Sequence, residues 1–221
     1  MPPAHPPGTL ESPVTSRLRA AHEGVYRWPG DYPGFSADLL VREGVDAISG
    51  RITARADAEP EIAFSEGGPL AEWASGELVM MVAHRAPRTF EQADGRFEHR
   101  EGTLEDGALR IHIEDPLSSS YLVDDRDRIV EVTRSPGSMT FAIRVLDASS
   151  GPGSGWLSRV FSVSFWEPRG VLDRVQTYQD DHVDLNGVLL PSRRHVVTTD
   201  RAGIGVRTIT LSGHATLGGA A

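Results

Sequence analysis

The chain has no cysteine among its 221 residues, which removes disulfides, thiolate nucleophiles and cysteine-held metals together. It has no lysine either: all 22 basic residues are arginine. Schiff-base chemistry and the lysine of a phosphate-cradling loop are therefore excluded. Positive charge as a whole is scarce, with a net charge of −9 and a pI near 5.3. A nucleic-acid partner is not expected, because phosphate binding asks for a basic stripe. No apolar run approaches the roughly 18 residues of a membrane-spanning helix. The opening Met1-Pro2-Pro3-Ala4-His5 lacks the basic and then apolar stretch of a secretory signal, so a cytoplasmic setting is expected.

What is present is a long alternation of apolar and polar residues, from near Gly107 to near Leu211. Successive strand side chains point to opposite faces, so alternation marks a strand with one face on a core. In Ser138-Met139-Thr140-Phe141-Ala142-Ile143-Arg144-Val145, Met139, Phe141, Ile143 and Val145 share a face. Strands are expected at 96–101, 107–114, 119–124, 127–135, 138–147, 157–166, 171–182, 185–199 and 204–212. Ahead of them, 35–41 and 46–55 flank an Arg42-Glu43-Gly44 hairpin signal, with a short strand at 61–64.

Two helices interrupt the pattern. Ser12-Pro13 caps and opens the first, with Leu18, Ala21 and Val25 at helical spacing; it stops in the loop Trp28-Pro29-Gly30. The second covers 69–85, with Leu70, Trp73, Leu78, Met81 and Val82 as its apolar stripe. The expected class is α+β, mainly antiparallel β. A curved meander forms a half-open β-barrel wrapped round the two helices, since large open sheets curl. One domain spans 13–215, after a disordered proline-rich tail at 1–12 and before a flexible tail at 216–221.

Several phrases resemble a known family. They are Tyr26-Arg27-Trp28-Pro29-Gly30-Asp31-Tyr32-Pro33-Gly34-Phe35, His84-Arg85-Ala86-Pro87-Arg88-Thr89-Phe90-Glu91, Ser119-Ser120-Tyr121, Phe161-Ser162-Val163-Ser164-Phe165-Trp166 and Leu190-Pro191-Ser192-Arg193. Together they resemble the uncharacterised DUF3386 family over roughly residues 14–212. Val183-Asp184-Leu185-Asn186-Gly187-Val188-Leu189-Leu190-Pro191 is more loosely similar to a strand of the LolA/LolB lipoprotein carriers. That resemblance implies an unclosed barrel round helices with an apolar cavity for lipid chains.

Candidate chemistry is sparse. His84, Arg88 and Glu91, near the end of the second helix, can face one cavity as an acid–base or anion-binding group, with Tyr121 as a further catalytic candidate. The plainer alternative is a last helical turn whose cations suit the helix dipole. Asp180-Asp181-His182-x-Asp184 invites a metal, with His99, His112 or His195 beside it. Alternation, however, sends Asp180 and His182 to one face and Asp181 to the other, and no ligand motif is matched. No cofactor is therefore expected. His112 reads as a solvent-facing residue, and Arg193-Arg194-His195 as cross-strand partners of Asp180 and Asp181. Ser162 and Ser164 lack the elbow of a serine nucleophile. Trp28, Tyr32, Phe35, Trp73, Met81, Phe90, Phe141 and Phe161 are candidates to line an adaptable hydrophobic pocket, with ordinary core as the alternative for most.

The function expected is binding of a hydrophobic small molecule or lipid. The alternative is an enzyme without organic cofactor, an isomerase, cyclase or hydrolase, acting on a hydrophobic intermediate. The sequence does not define an oligomeric state.

Overall fold

Residues 11–55 and 57–218 are described by a computed structural model. Helix α1 (Pro13–Glu23) opens on the Ser12 side chain, which accepts a hydrogen bond from the Thr15 N–H, with a proline in the first turn. Strands β1 (Phe35–Glu43), β2 (Asp46–Ala54) and β3 (Glu61–Phe64) follow, then helix α2 (Pro69–Ala83). The long alternation becomes nine further strands: β4 (His99–Glu105), β5 (Ala108–Ile113), β6 (Ser120–Val123), β7 (Ile129–Arg134), β8 (Thr140–Ser150), β9 (Trp156–Trp166), β10 (Leu172–Leu185), β11 (Val188–Asp200) and β12 (Gly203–Thr216). Every strand expected from the sequence is present, with ends displaced by a few residues.

The described strands form one antiparallel sheet in the order β3-β2-β1-β12-β11-β10-β9-β8-β7-β6-β5-β4. Its two edges, β3 and β4, do not pair with each other, so the barrel stays open. Sharp hairpins set the register. Asp106-Gly107 and Asn186-Gly187 both carry positive φ at their two residues, the backbone of the tight turns that match strand twist. Edge β4 carries Arg100, Glu101 and Glu105, charges that discourage pairing with another chain.

The connection from β3 to β4 carries the chain from one edge of the sheet to the other, and α2 lies on it. Ala71, Ala74, Leu78, Met81 and Val82 are the buried face of α2, packed with Phe35, Leu39, Ile52 and Ile209 of β1, β2 and β12. Leu70 and Trp73, expected in the stripe, are only half-buried; the small alanines let the helix approach the sheet instead. Helix α1 packs Val14, Leu18 and Ala21 on Ile111, Ile113, Tyr121 and Val123 of β5 and β6. Helix α2 thus covers the β1–β2 end and reaches β10 and β11 through Trp73 and Glu77, while α1 covers the β5–β6 end.

The proline-rich tail falls mostly outside the described residues. Its last two members are engaged: Glu11 pairs with Arg19 at 2.8 Å and Ser12 is the cap. At the other end Thr216 closes β12, and the Leu217 N–H donates to the Gly34 carbonyl at 2.9 Å. Residues 219–221 lie outside the described residues.

Candidate functional site

Between the two helices, over the middle strands, lies a cavity of about 600 Å³. Its apolar wall is built by the alternation itself: Ile129 and Val132 of β7, Ile143 and Val145 of β8, and Phe161 of β9 face it. These side chains are half-buried where the corresponding faces under the helices are fully buried. Met81 closes one side from α2, and Phe97 and Leu117 another from the loops before and after β4 and β5.

The rest of the wall is charged. Arg27, Arg85, Arg88, Arg96, Arg134 and Arg194 all line the cavity, against Asp94, Asp115 and Asp180. Arg194 is fully engaged. Its guanidinium forks onto Asp180 at 2.8 and 2.6 Å and reaches Glu77 of α2 at 2.9 Å. Burial disfavours the Arg194 charge, but the bonds from Asp180 and Glu77 hold its pKa above the ordinary value. Tyr178 donates to Glu77 at 3.2 Å and lies within reach of the Arg194 guanidinium, 5.2 Å from its ring centroid. Arg194 and Asp180 are directly opposite across β10 and β11, as are Arg193 and Asp181, the cross-strand pairing read from the sequence.

The other cavity arginines make no ion pair among the described residues. Arg85 donates to the Tyr26 carbonyl at 3.3 Å, and Arg27 to the His22 carbonyl at 2.8 Å. Arg134 donates to the Tyr121 hydroxyl at 3.2 Å, while its Nε is buried with no hydrogen-bond partner. Burial, partly offset by Asp180, lowers the Arg85 pKa to about 10, which still leaves it charged at neutral pH.

His84 ends α2 as its C-cap residue and sits among these cations. Its exposed surface is cavity wall. Burial first, then the charges of Arg85, Arg194 and Arg134, push its pKa down to about 4. His182 is held near 4 by burial and then by Arg85, against the pull of Asp180. Both are uncharged at neutral pH. Tyr121 donates to Asp94 at 3.3 Å, and Asp94 lies 3.8 Å from His22 Nδ1. Burial, and then Asp94, raise the Tyr121 pKa to about 12.

The structure therefore brings His84, Arg88 and Tyr121 to one cavity, along with Asp180 and His182. It does not bring Glu91 there. The helix stops at Ala83, so 84–91 is not a continuation of its face, and Glu91 instead pairs with Arg19 of α1 while 63 % exposed. Of the aromatic and methionine candidates, Met81 and Phe161 line the cavity. Trp28, Tyr32 and Phe35 pack in the core under α2, Phe90 in the core under α1, and Trp73 and Phe141 against the cluster of Val163, Tyr178 and Val196. His112 is exposed. Asp180 is committed to Arg194, and among the described residues no three His, Asp or Glu side chains gather as a metal site.

Sequence reasoning missed Arg27, Arg85, Arg134, Asp94 and His22. One signal was available for Arg134: it alternates onto the same strand face as Val132, a charge on an apolar face.

A family model described as a protein of unknown function (DUF3386) matches residues 11–217. The chain belongs to this family. No match is found among curated proteins. Solved structures with a similar chain path include a domain described as an outer membrane lipoprotein-sorting protein from Vibrio parahaemolyticus, at 9% identity, covering 94% of this chain and 95% of that one, with a TM-score of 0.34. A DUF1329 family protein from Desulfovibrio piger matches at 10% identity, covering 96% of each chain, also with a TM-score of 0.34. MucB of Pseudomonas aeruginosa, in its complex with MucA, matches at 10% identity over 90% of this chain and 93% of that one, with a TM-score of 0.24. No helix among the described residues of the DUF3386 protein is long and apolar enough to cross a membrane.

Proposed function

We propose that the protein binds a hydrophobic small molecule or lipid in the cavity between α1 and α2. One observation carries this reading. The apolar faces of β7, β8 and β9 are built as a core face is built, but they meet an open cavity of about 600 Å³ rather than a packed element. Apolar area left uncovered forgoes about 25 cal/mol per Å² of stabilisation, which an apolar occupant restores. The volume falls within the range of ordinary small-molecule sites, about 300–1,000 Å³.

Native mass spectrometry of the purified protein, with extraction of any adduct into organic solvent, tests the reading directly. Titration with an apolar fluorescent dye should also saturate at one site. Ile143→Asp, which puts a carboxylate on the apolar wall, should weaken dye binding by about tenfold or more. No adduct together with no dye or fatty-acid binding would sink the proposal. The cytoplasmic setting expected from the sequence belongs to the same proposal, and cell fractionation tests it.

A second reading is favoured by the meeting of His84, Arg88 and Tyr121 on that cavity. There the protein would be an enzyme without organic cofactor, turning over a hydrophobic substrate with a His84 held unprotonated as base. Under that reading His84→Gln and Tyr121→Phe each abolish turnover without loss of dye binding. Turnover that persists in both variants overturns it.

A further inference from the structure

We propose that the occupant of this cavity is an amphiphile with an oxyanion head, a carboxylate or a phosphate, received by Arg85 and Arg134 beside His84. The inference rests on the binding reading above and adds the chemistry of the ligand's head.

The protein as a whole carries nine excess negative charges, yet its cavity is lined the other way. Six arginines face three aspartates there, an excess of three positive charges, or two once Glu77 is counted through its bond to Arg194. The two cavity histidines with depressed pKa values are uncharged and add nothing to the count. Arg194 is neutralised by its two carboxylates, whereas Arg85 and Arg134 have none within ion-pair distance among the described residues. Both are half-buried, so their charges are only partly solvated, and an anion received in the cavity supplies the missing counter-charge.

The donor geometry selects the class of anion. A guanidinium presents five N–H donors in a planar fork that matches the paired oxygens of a carboxylate or phosphate. Arg85 uses a donor on the Tyr26 carbonyl and Arg134 one on the Tyr121 hydroxyl, and the Arg134 Nε is buried with no partner. Arg85, Arg134 and His84 all line the same cavity. That cavity carries the apolar wall of Ile129, Val132, Ile143 and Val145. A charged head at the arginines thus leads directly to a hydrocarbon body on the strands.

The test compares palmitate, hexadecyl phosphate and hexadecanol as competitors of the bound dye. The wild-type protein should prefer one or both anions to the alcohol by about ten- to a hundredfold, the range of a charge-assisted hydrogen-bond pair. Whichever anion binds tighter identifies the head. Arg85→Gln and Arg134→Gln should each erase about tenfold of that preference and leave hexadecanol binding unchanged. Arg51→Gln, on the outer surface against Asp38, should change neither. Hexadecanol binding as tightly as both anions overturns the oxyanion head while leaving the binding reading intact. Failure of all three ligands and of the dye overturns the binding reading, and this inference with it. A preference that survives both arginine variants overturns their assignment. The wild-type comparison decides the head even if one variant does not fold.

Discussion

Arg194 connects three things at once: β11, the Asp180 carboxylate of β10, and Glu77 on α2. Its side chain is 6% exposed, as is that of Asp180. Removing the cation leaves the buried Asp180 carboxylate and that of Glu77 without their partner, a change in the class that costs about 3–5 kcal/mol. Arg194→Met should therefore lower the urea midpoint sharply, and Arg193→Met, on the neighbouring position of the same strand, far less. The histidines give a pH signature. His84 and His182 have folded pKa values near 4 against an ordinary 6.5. Above that ordinary value both folded and unfolded forms are neutral and no stability is lost. As pH falls from about 6.5 toward 4 the unfolded chain takes up protons that the folded one refuses, so stability declines. Urea midpoints between these values should slope downward, and His84→Asn with His182→Asn should flatten the slope. The residue scale was also where the sequence was hardest to read. Asp180 and Arg194 were paired correctly because both flank one hairpin at Asn186-Gly187. Glu77 was invisible as their partner, since nothing local fixes where α2 sits over the sheet. Glu91 is close in sequence to His84 and Arg88, but the chain turns after Ala83 and carries it to Arg19 of α1.

At the level of elements the strands were legible because two independent signals agreed: period-two alternation and glycine-bearing turns with the positive φ that only a few residues tolerate. The helices were legible through capping, as at Ser12, and through spacing. What the spacing could not say is which apolar side chains would be covered. Leu78 of α2 is 1% exposed and Met80 is 50% exposed, though both are large and apolar. Leu78→Ala should cost about 2–5 kcal/mol by opening a cavity in a close-packed core. Met80→Ala should stay within about 0.5 kcal/mol. Chemical denaturation of the two variants, read side by side, checks the assignment of the buried face. The same ambiguity hid the site: the alternation in β8 reads like any core-facing strand, and only the absence of a helix above Ile143 and Val145 makes it a cavity wall.

On the scale of the whole molecule the sheet has two unpaired edges, each open to pairing with another chain. Edge β4 is guarded by charge, Arg100 pairing with Glu114 at 2.7 Å. Replacing Arg100 and Glu101 by valine should promote concentration-dependent association, seen by light scattering after size-exclusion chromatography. The strand order has a further consequence, for the time course of synthesis. Because the chain crosses to the far edge after β3 and meanders back, β12 is both the last of the described strands in chain order and the partner of β1. The edge of β1 that pairs with β12 therefore stays open on the ribosome until some 150 later residues have emerged. Such distant pairings close slowly, and a nascent chain stalled between β11 and β12 holds two strand sets, β1–β3 and β4–β11, that are not yet joined.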